Sequence, residues 1–90
     1  MVAETHLVLA NYRDADGRYN MWPARRKIQI ALLETLVDAF EPGKRYSEIE
    51  VNAILNQRHT FGDPATLRRD MVDLGLLKRE RDATAYWIDG

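Results

Sequence analysis

The sequence predicts a mainly α domain with a small β-hairpin (α+β), arranged as a winged helix-turn-helix. Three observations carry this. An apolar stripe recurs at helical spacing behind Pro23. Two more helices announce their starts with capping signals, at Ser47 and at Asp63-Pro64. The chain then finishes in two short strand-like stretches around a polar turn. Helix, short extended link, helix, helix, strand, turn, strand is the element order of a winged helix. The expected organisation is one domain over residues 1–90, with an N-terminal helix and extended arm at 1–22 and the winged-helix core at 23–90.

Residues 3 to 12 read as a short helix with Leu7, Leu9 and Tyr12 as its apolar residues. Asp14-Ala15-Asp16-Gly17 is a turn by composition. Tyr19 to Trp22 reads as extended, because the residue before a proline is pushed out of helical geometry. Pro23 suits the first position of the next helix. Ile28, Leu32, Leu36 and Phe40 form its stripe, widened by Leu33 and Val37, and Pro42-Gly43 ends it. Lys44-Arg45-Tyr46 is a short extended link. Ser47 and Glu50 form a capping box for a helix from about Glu48 to Gln57, with Ile49, Ala53, Ile54 and Val51 or Leu55 available for burial. Asp63 caps and Pro64 opens the third helix, whose expected buried stripe is Leu67, Met71 and Leu74, with Gly75 as left-handed terminator. Leu76 to Glu80 and Ala85 to Ile88 read as strands joined by the turn Arg81-Asp82-Ala83-Thr84.

Composition excludes several functions. Ninety residues, 46% hydrophobic and 30% charged, suffice for one core. With no cysteine there is no disulfide, thiolate metal site or thiol nucleophile. The apolar runs are too short to span a membrane, and the first residues lack signal-peptide character, so a cytoplasmic location is expected. Thirteen Lys and Arg against fourteen Asp and Glu give a net charge of −1. Any attraction for nucleic acid must therefore come from local clusters. Five basic and three acidic residues lie between Pro23 and Tyr46, and five basic and four acidic between Asp63 and Arg81.

Those clusters supply the candidate site. On the third helix Arg69 points away from the expected core and Arg68 sits on the flank. With Thr66 they would face a major groove, where arginine binds guanine bidentately or clamps phosphate. Lys78, Arg79 and Arg81 sit at the wing, where basic residues meet the DNA backbone. Arg25 and Arg26 open the long helix against its own dipole, so something other than helix stability favours them there. The structural alternative is that the arginines pair with Asp70, Asp73 or carboxylates of the preceding helix. Asn52 lies among apolar residues; if buried, it needs partners and can tie its helix to the next. Asp14, Asp16 and Gly17 start like a calcium loop, but its remaining ligands are missing. His6 and His59 are far apart with no cysteine near, so no metal and no cofactor is expected. No catalytic motif is present, and an enzyme is not expected. Trp22, Tyr46, Tyr86 and Trp87 read as packing residues.

Several stretches carry a resemblance to a known family: Asp16-Gly17-Arg18, Trp22 to Lys27, Leu33 to Phe40, Arg45 to Leu55, His59, Asp63, Leu67 to Asp73, Leu74 to Arg79, and Tyr86-Trp87. Over roughly residues 14 to 88 the chain resembles a small bacterial domain family of undefined function. That family occurs alone and fused to winged-helix transcription regulators of the arsenic-repressor type. The resemblance implies a regulator-associated winged helix and brings no catalytic residues. The sequence departs from the family in its wing turn, Asp82-Ala83-Thr84, where glycine is usual, and in a longer link from His59 to Asp63. The expected function is nucleic-acid binding as a transcription regulator or part of one. Double-stranded DNA is the expected partner, with a homodimer on two half-sites and residues 3 to 12 as the candidate dimer element. The alternative is a protein-interaction module of the same shape that binds no DNA.

Overall fold

Helix α1, Arg26–Leu36, runs on into a 3-10 turn at Val37–Ala39 and buries Ala31, Leu32, Leu33, Leu36 and Phe40. The stripe is the expected one, but the helix starts at Arg26 rather than Pro23. Pro23 is itself buried, and its carbonyl accepts from the Gln29 side-chain amide at 2.6 Å. That contact holds the chain in a bend across residues 24 and 25, and the helix opens only after it. A computed structural model of the chain describes residues 7–89.

After Phe40 the chain reverses, and Tyr46 pairs with Tyr86 by two backbone hydrogen bonds of 2.8 Å each. Ser47 then caps helix α2, Glu48–Asn56, with both halves of the capping box formed. The buried face of α2 is Val51 and Leu55, one turn apart. Ile49 and Ala53, also expected to be available for burial, point outward; Ile49 is 81% exposed. The neighbouring Tyr46–Tyr86 pairing aims the start of α2, and that aim selects which of its two apolar faces turns inward.

The turn from α2 to α3 is organised by His59. Its Nε2 accepts from the Asp63 amide (3.0 Å), so the proton sits on Nδ1, which donates to the Leu55 carbonyl (2.6 Å). Helix α3, Pro64–Asp73, is capped by Asp63, which accepts from the Thr66 amide and hydroxyl. Leu67 and Met71 are fully buried. Gly75 (φ +77°) closes α3 with a Schellman arrangement, the Leu76 amide donating to Met71 and the Gly75 amide to Val72. Leu74, expected in the stripe, stays at the surface, because the left-handed turn delivers Leu77 to the core instead.

Strands β1, Lys78–Arg79, and β2, Tyr86–Trp87, pair antiparallel in the register Lys78 with Trp87 and Arg79 with Tyr86. Tyr46 adds a third rung beside β2. Tyr86 and Ile88 anchor the hairpin on the helices. In its turn Ala83 adopts φ +60°, and Asp82 accepts from the amide and hydroxyl of Thr84.

The N-terminal arm is part of the same core. Residues 7–9 are helical and lead into a 3-10 turn at Ala10–Tyr12; residues 3–6 of the expected helix lie outside the described residues. Leu9 and Tyr19 are buried in the common cluster, while Leu7 is exposed. Leu9 thus finds its burial within the chain, which weakens the argument for this segment as a dimer element. Asp14 accepts from the amides of Asp16 and Arg18, so the suspected calcium-like loop is a turn closed on itself. The Tyr19 amide donates to Arg58, and the Thr60 amide donates to Tyr19, both at 2.8 Å. The Tyr19 hydroxyl accepts from Arg13 and donates to Thr35. The arm is thereby stitched to the α2–α3 turn.

An alanine at positive φ costs about 1–2 kcal/mol, part of which glycine's greater unfolded-state entropy gives back. Ala83→Gly should therefore raise the melting temperature by roughly 2–4 °C, read by circular dichroism. Glu50, Asp63 and Asp82 are each held below their ordinary carboxylate pKa, first by hydrogen bonds from Ser47, Thr66 and Thr84 respectively. A carboxyl lowered on folding contributes stability above its unfolded value, 4.5 for Glu50 and 3.8 for the two aspartates, and loses it as pH falls through the folded value. Melting temperature should therefore fall on acidification below those values. Asp63→Asn, which still caps, should fall less steeply across that range.

Candidate nucleic-acid interface

The orientation of α3 follows from Leu67 and Met71, which pin one face to the core. Arg68, next to Leu67, is carried inward with it and is only 8% exposed. One guanidinium nitrogen donates to Asn52 Oδ1 on α2, and the other lies 3.4 Å from Glu48 Oε1. The same carboxylate oxygen accepts from the Tyr86 hydroxyl at 3.3 Å. One buried cation therefore joins α2, α3 and β2. This corrects the expectation that Arg68 flanks a groove-facing surface. The alternative, pairing with a carboxylate of the preceding helix, is what the structure contains. Asn52 ties the two helices together as its apolar neighbourhood indicated.

The other expected site residues divide into two groups. Thr66 is spent on the α3 cap, its hydroxyl donating to Asp63 at 2.7 Å. Arg26 pairs with Asp70 at 2.7 Å, across from α1 to α3, and Lys78 pairs with Asp89 at 3.1 Å. Arg25, Arg69, Arg79 and Arg81 are exposed and have no carboxylate partner among the described residues. The Arg26 pair also offsets one of the two acids on α3 that would repel phosphate. Asp73 is left as the exposed acid on that helix.

Arg69 and Arg79 line a cavity of about 360 Å³ between α3 and the hairpin. Val72, Ala83 and Tyr86 add apolar surface to its lining, and Arg68 also contributes. The sequence offered Asn52 as a clue to the network behind this cavity. Nothing local pointed to Glu48 or Tyr86, which reach Arg68 only through the fold. Among the described residues no group of His, Asp and Glu is placed to hold a metal ion, and no helix is long and apolar enough to cross a membrane.

Residues 18–88 match the model of a family described as an uncharacterised protein conserved in bacteria (DUF2087). No curated protein and no solved structure matches the chain.

Removing Arg68 leaves Asn52 Oδ1 without its donor and Glu48 with only the Tyr86 hydroxyl. Arg68→Ala should cost about 2–4 kcal/mol in urea unfolding, whereas Arg69→Ala, a surface change one residue away, should stay within about 0.5 kcal/mol. Equal costs at the two positions would contradict the buried network.

Proposed function

The chain belongs to this bacterial family, and from that premise we propose that it is a winged helix that binds double-stranded DNA as a transcription regulator or part of one. The observation that carries the reading is the pair Arg69 and Arg79. They stand on α3 and on the hairpin, line one opening and form no salt bridge among the described residues. In a winged helix the second helix of the helix-turn-helix enters the major groove and the hairpin follows the backbone. Here that helix is α3, with Arg69 for the groove, and Arg79 and Arg81 for phosphates. Arg25 extends the basic surface at the start of α1. Arg68 and Arg26 support the site from behind and leave the set of contacts. The resemblance to domains fused to arsenic-repressor-type regulators favours the same reading, in which the chain acts in the cytoplasm as a dimer on two half-sites.

A second reading, a protein-interaction module, is favoured by one observation. Ile49 stands 81% exposed in the first turn of α2, an apolar contact of a kind that protein partners bury.

Fluorescence anisotropy with mixed genomic fragments, at low and moderate salt, separates the two. The DNA reading expects binding that weakens as salt rises. It also expects weaker binding, with a salt slope shallower by about 2, in Arg69→Ala/Arg79→Ala. No binding by the wild type at low salt would reject DNA and leave the protein-interaction reading.

A further inference from the structure

We propose that the cavity between α3 and the hairpin binds a small organic anion, a carboxylate or phosphate monoester on a compact apolar body. We further propose that its occupant competes with DNA for Arg69 and Arg79. The competition rests on the DNA-binding reading; the anion site does not.

Three features of the cavity argue for this ligand. Its volume, about 360 Å³, lies within the range of small-molecule sites. Its charges are not balanced toward a newcomer: of its two carboxylates, Glu48 already serves Arg68 and the Tyr86 hydroxyl. That leaves Arg69 and Arg79 against Asp73 alone. Arg68 is engaged by Asn52 and Glu48, so Arg69 and Arg79 are the groups that offer a ligand anion charge-assisted hydrogen bonds. The third feature is the apolar lining of Val72, Ala83 and the Tyr86 ring, which a bare anion leaves uncovered. A ligand with an anionic head and an apolar body satisfies both. Duplex DNA is too wide to enter, its major groove alone measuring about 12 Å, and can meet only the exposed arginines. An occupant that draws Arg69 and Arg79 toward itself takes them from the duplex.

The test is an NMR titration of the whole chain with phenyl phosphate, benzoate and inorganic phosphate, with benzyl alcohol as the uncharged control. Amide and arginine side-chain signals are followed in the wild type, in Arg69→Ala/Arg79→Ala and in the cavity-filling Val72→Trp. The double variant changes only exposed side chains, so it remains informative if Val72→Trp does not fold. A saturable shift is expected for phenyl phosphate or benzoate, centred on Val72, Ala83, Tyr86 and Arg68. Affinity should drop by about tenfold or more in each folded variant, in line with the loss of a charge-assisted contact or of the space. Inorganic phosphate should bind more weakly and benzyl alcohol not at all. Absence of saturable shifts at roughly millimolar ligand, unchanged affinity in the double variant, or shifts centred elsewhere would overturn the site. Adding the bound anion to the anisotropy assay should raise the DNA dissociation constant, and an unchanged value overturns the competition. Anion binding without DNA binding leaves the site standing and removes the DNA reading. DNA binding without anion binding removes the site alone.

Discussion

The guanidinium of Arg68 lies where a small domain tolerates an unpaired charge least, beneath α3 and against α2. A buried cation is stable only if its donors are met, and here Asn52 and Glu48 meet them from one helix while Tyr86 holds Glu48 from the hairpin. Apolar packing is tolerant of small rotations. A planar, hydrogen-bonded group is not, so this network sets how α3 rolls over α2 and where the hairpin stands. Turning Arg68 inward also turns Arg69 outward, since adjacent helical positions lie about 100° apart. The exposed arginine on the candidate face is thus a geometric consequence of the buried one.

A second set of constraints acts at the α2–α3 turn. His59 uses both ring nitrogens on backbone partners, and Tyr19 brings the N-terminal arm alongside through two backbone bonds. Arg18 adds a guanidinium contact to the carbonyls of Asn56 and His59 at the end of α2. The α2–α3 pair of this chain is accordingly braced from outside by residues that precede its turn by some forty positions. A fragment holding α2 and α3 alone would lack that brace.

Local signals in the sequence translate directly into structure, and long-range ones do not. The caps at Ser47, Asp63 and Gly75 were legible because each depends on a few neighbouring residues and on backbone geometry that those residues favour. The face of α2 was harder, because Ile49, Val51, Ala53, Ile54 and Leu55 surround the helix and periodicity alone does not choose among them. The role of Pro23 depended on a side-chain amide six residues on, and that of Leu74 on where Gly75 sends the chain. Among the charged residues, composition identified the basic clusters but not their pairing. Arg26 meets Asp70 across forty-four positions, a distance no motif spans. Net charge near zero was therefore a poor guide to the surface, since what matters is which arginines the fold leaves without acids.

Arg45 lies over the ring of Trp87 at 4.3 Å, while Trp22 packs with Phe61 at 6.3 Å beside the α2–α3 turn. The two indoles therefore sample different parts of the molecule, one the hairpin and the other the junction of arm and turn. Their emission divides accordingly: a chain retaining only Trp87 carries a built-in optical reporter of the hairpin, and one retaining only Trp22 a reporter of the brace.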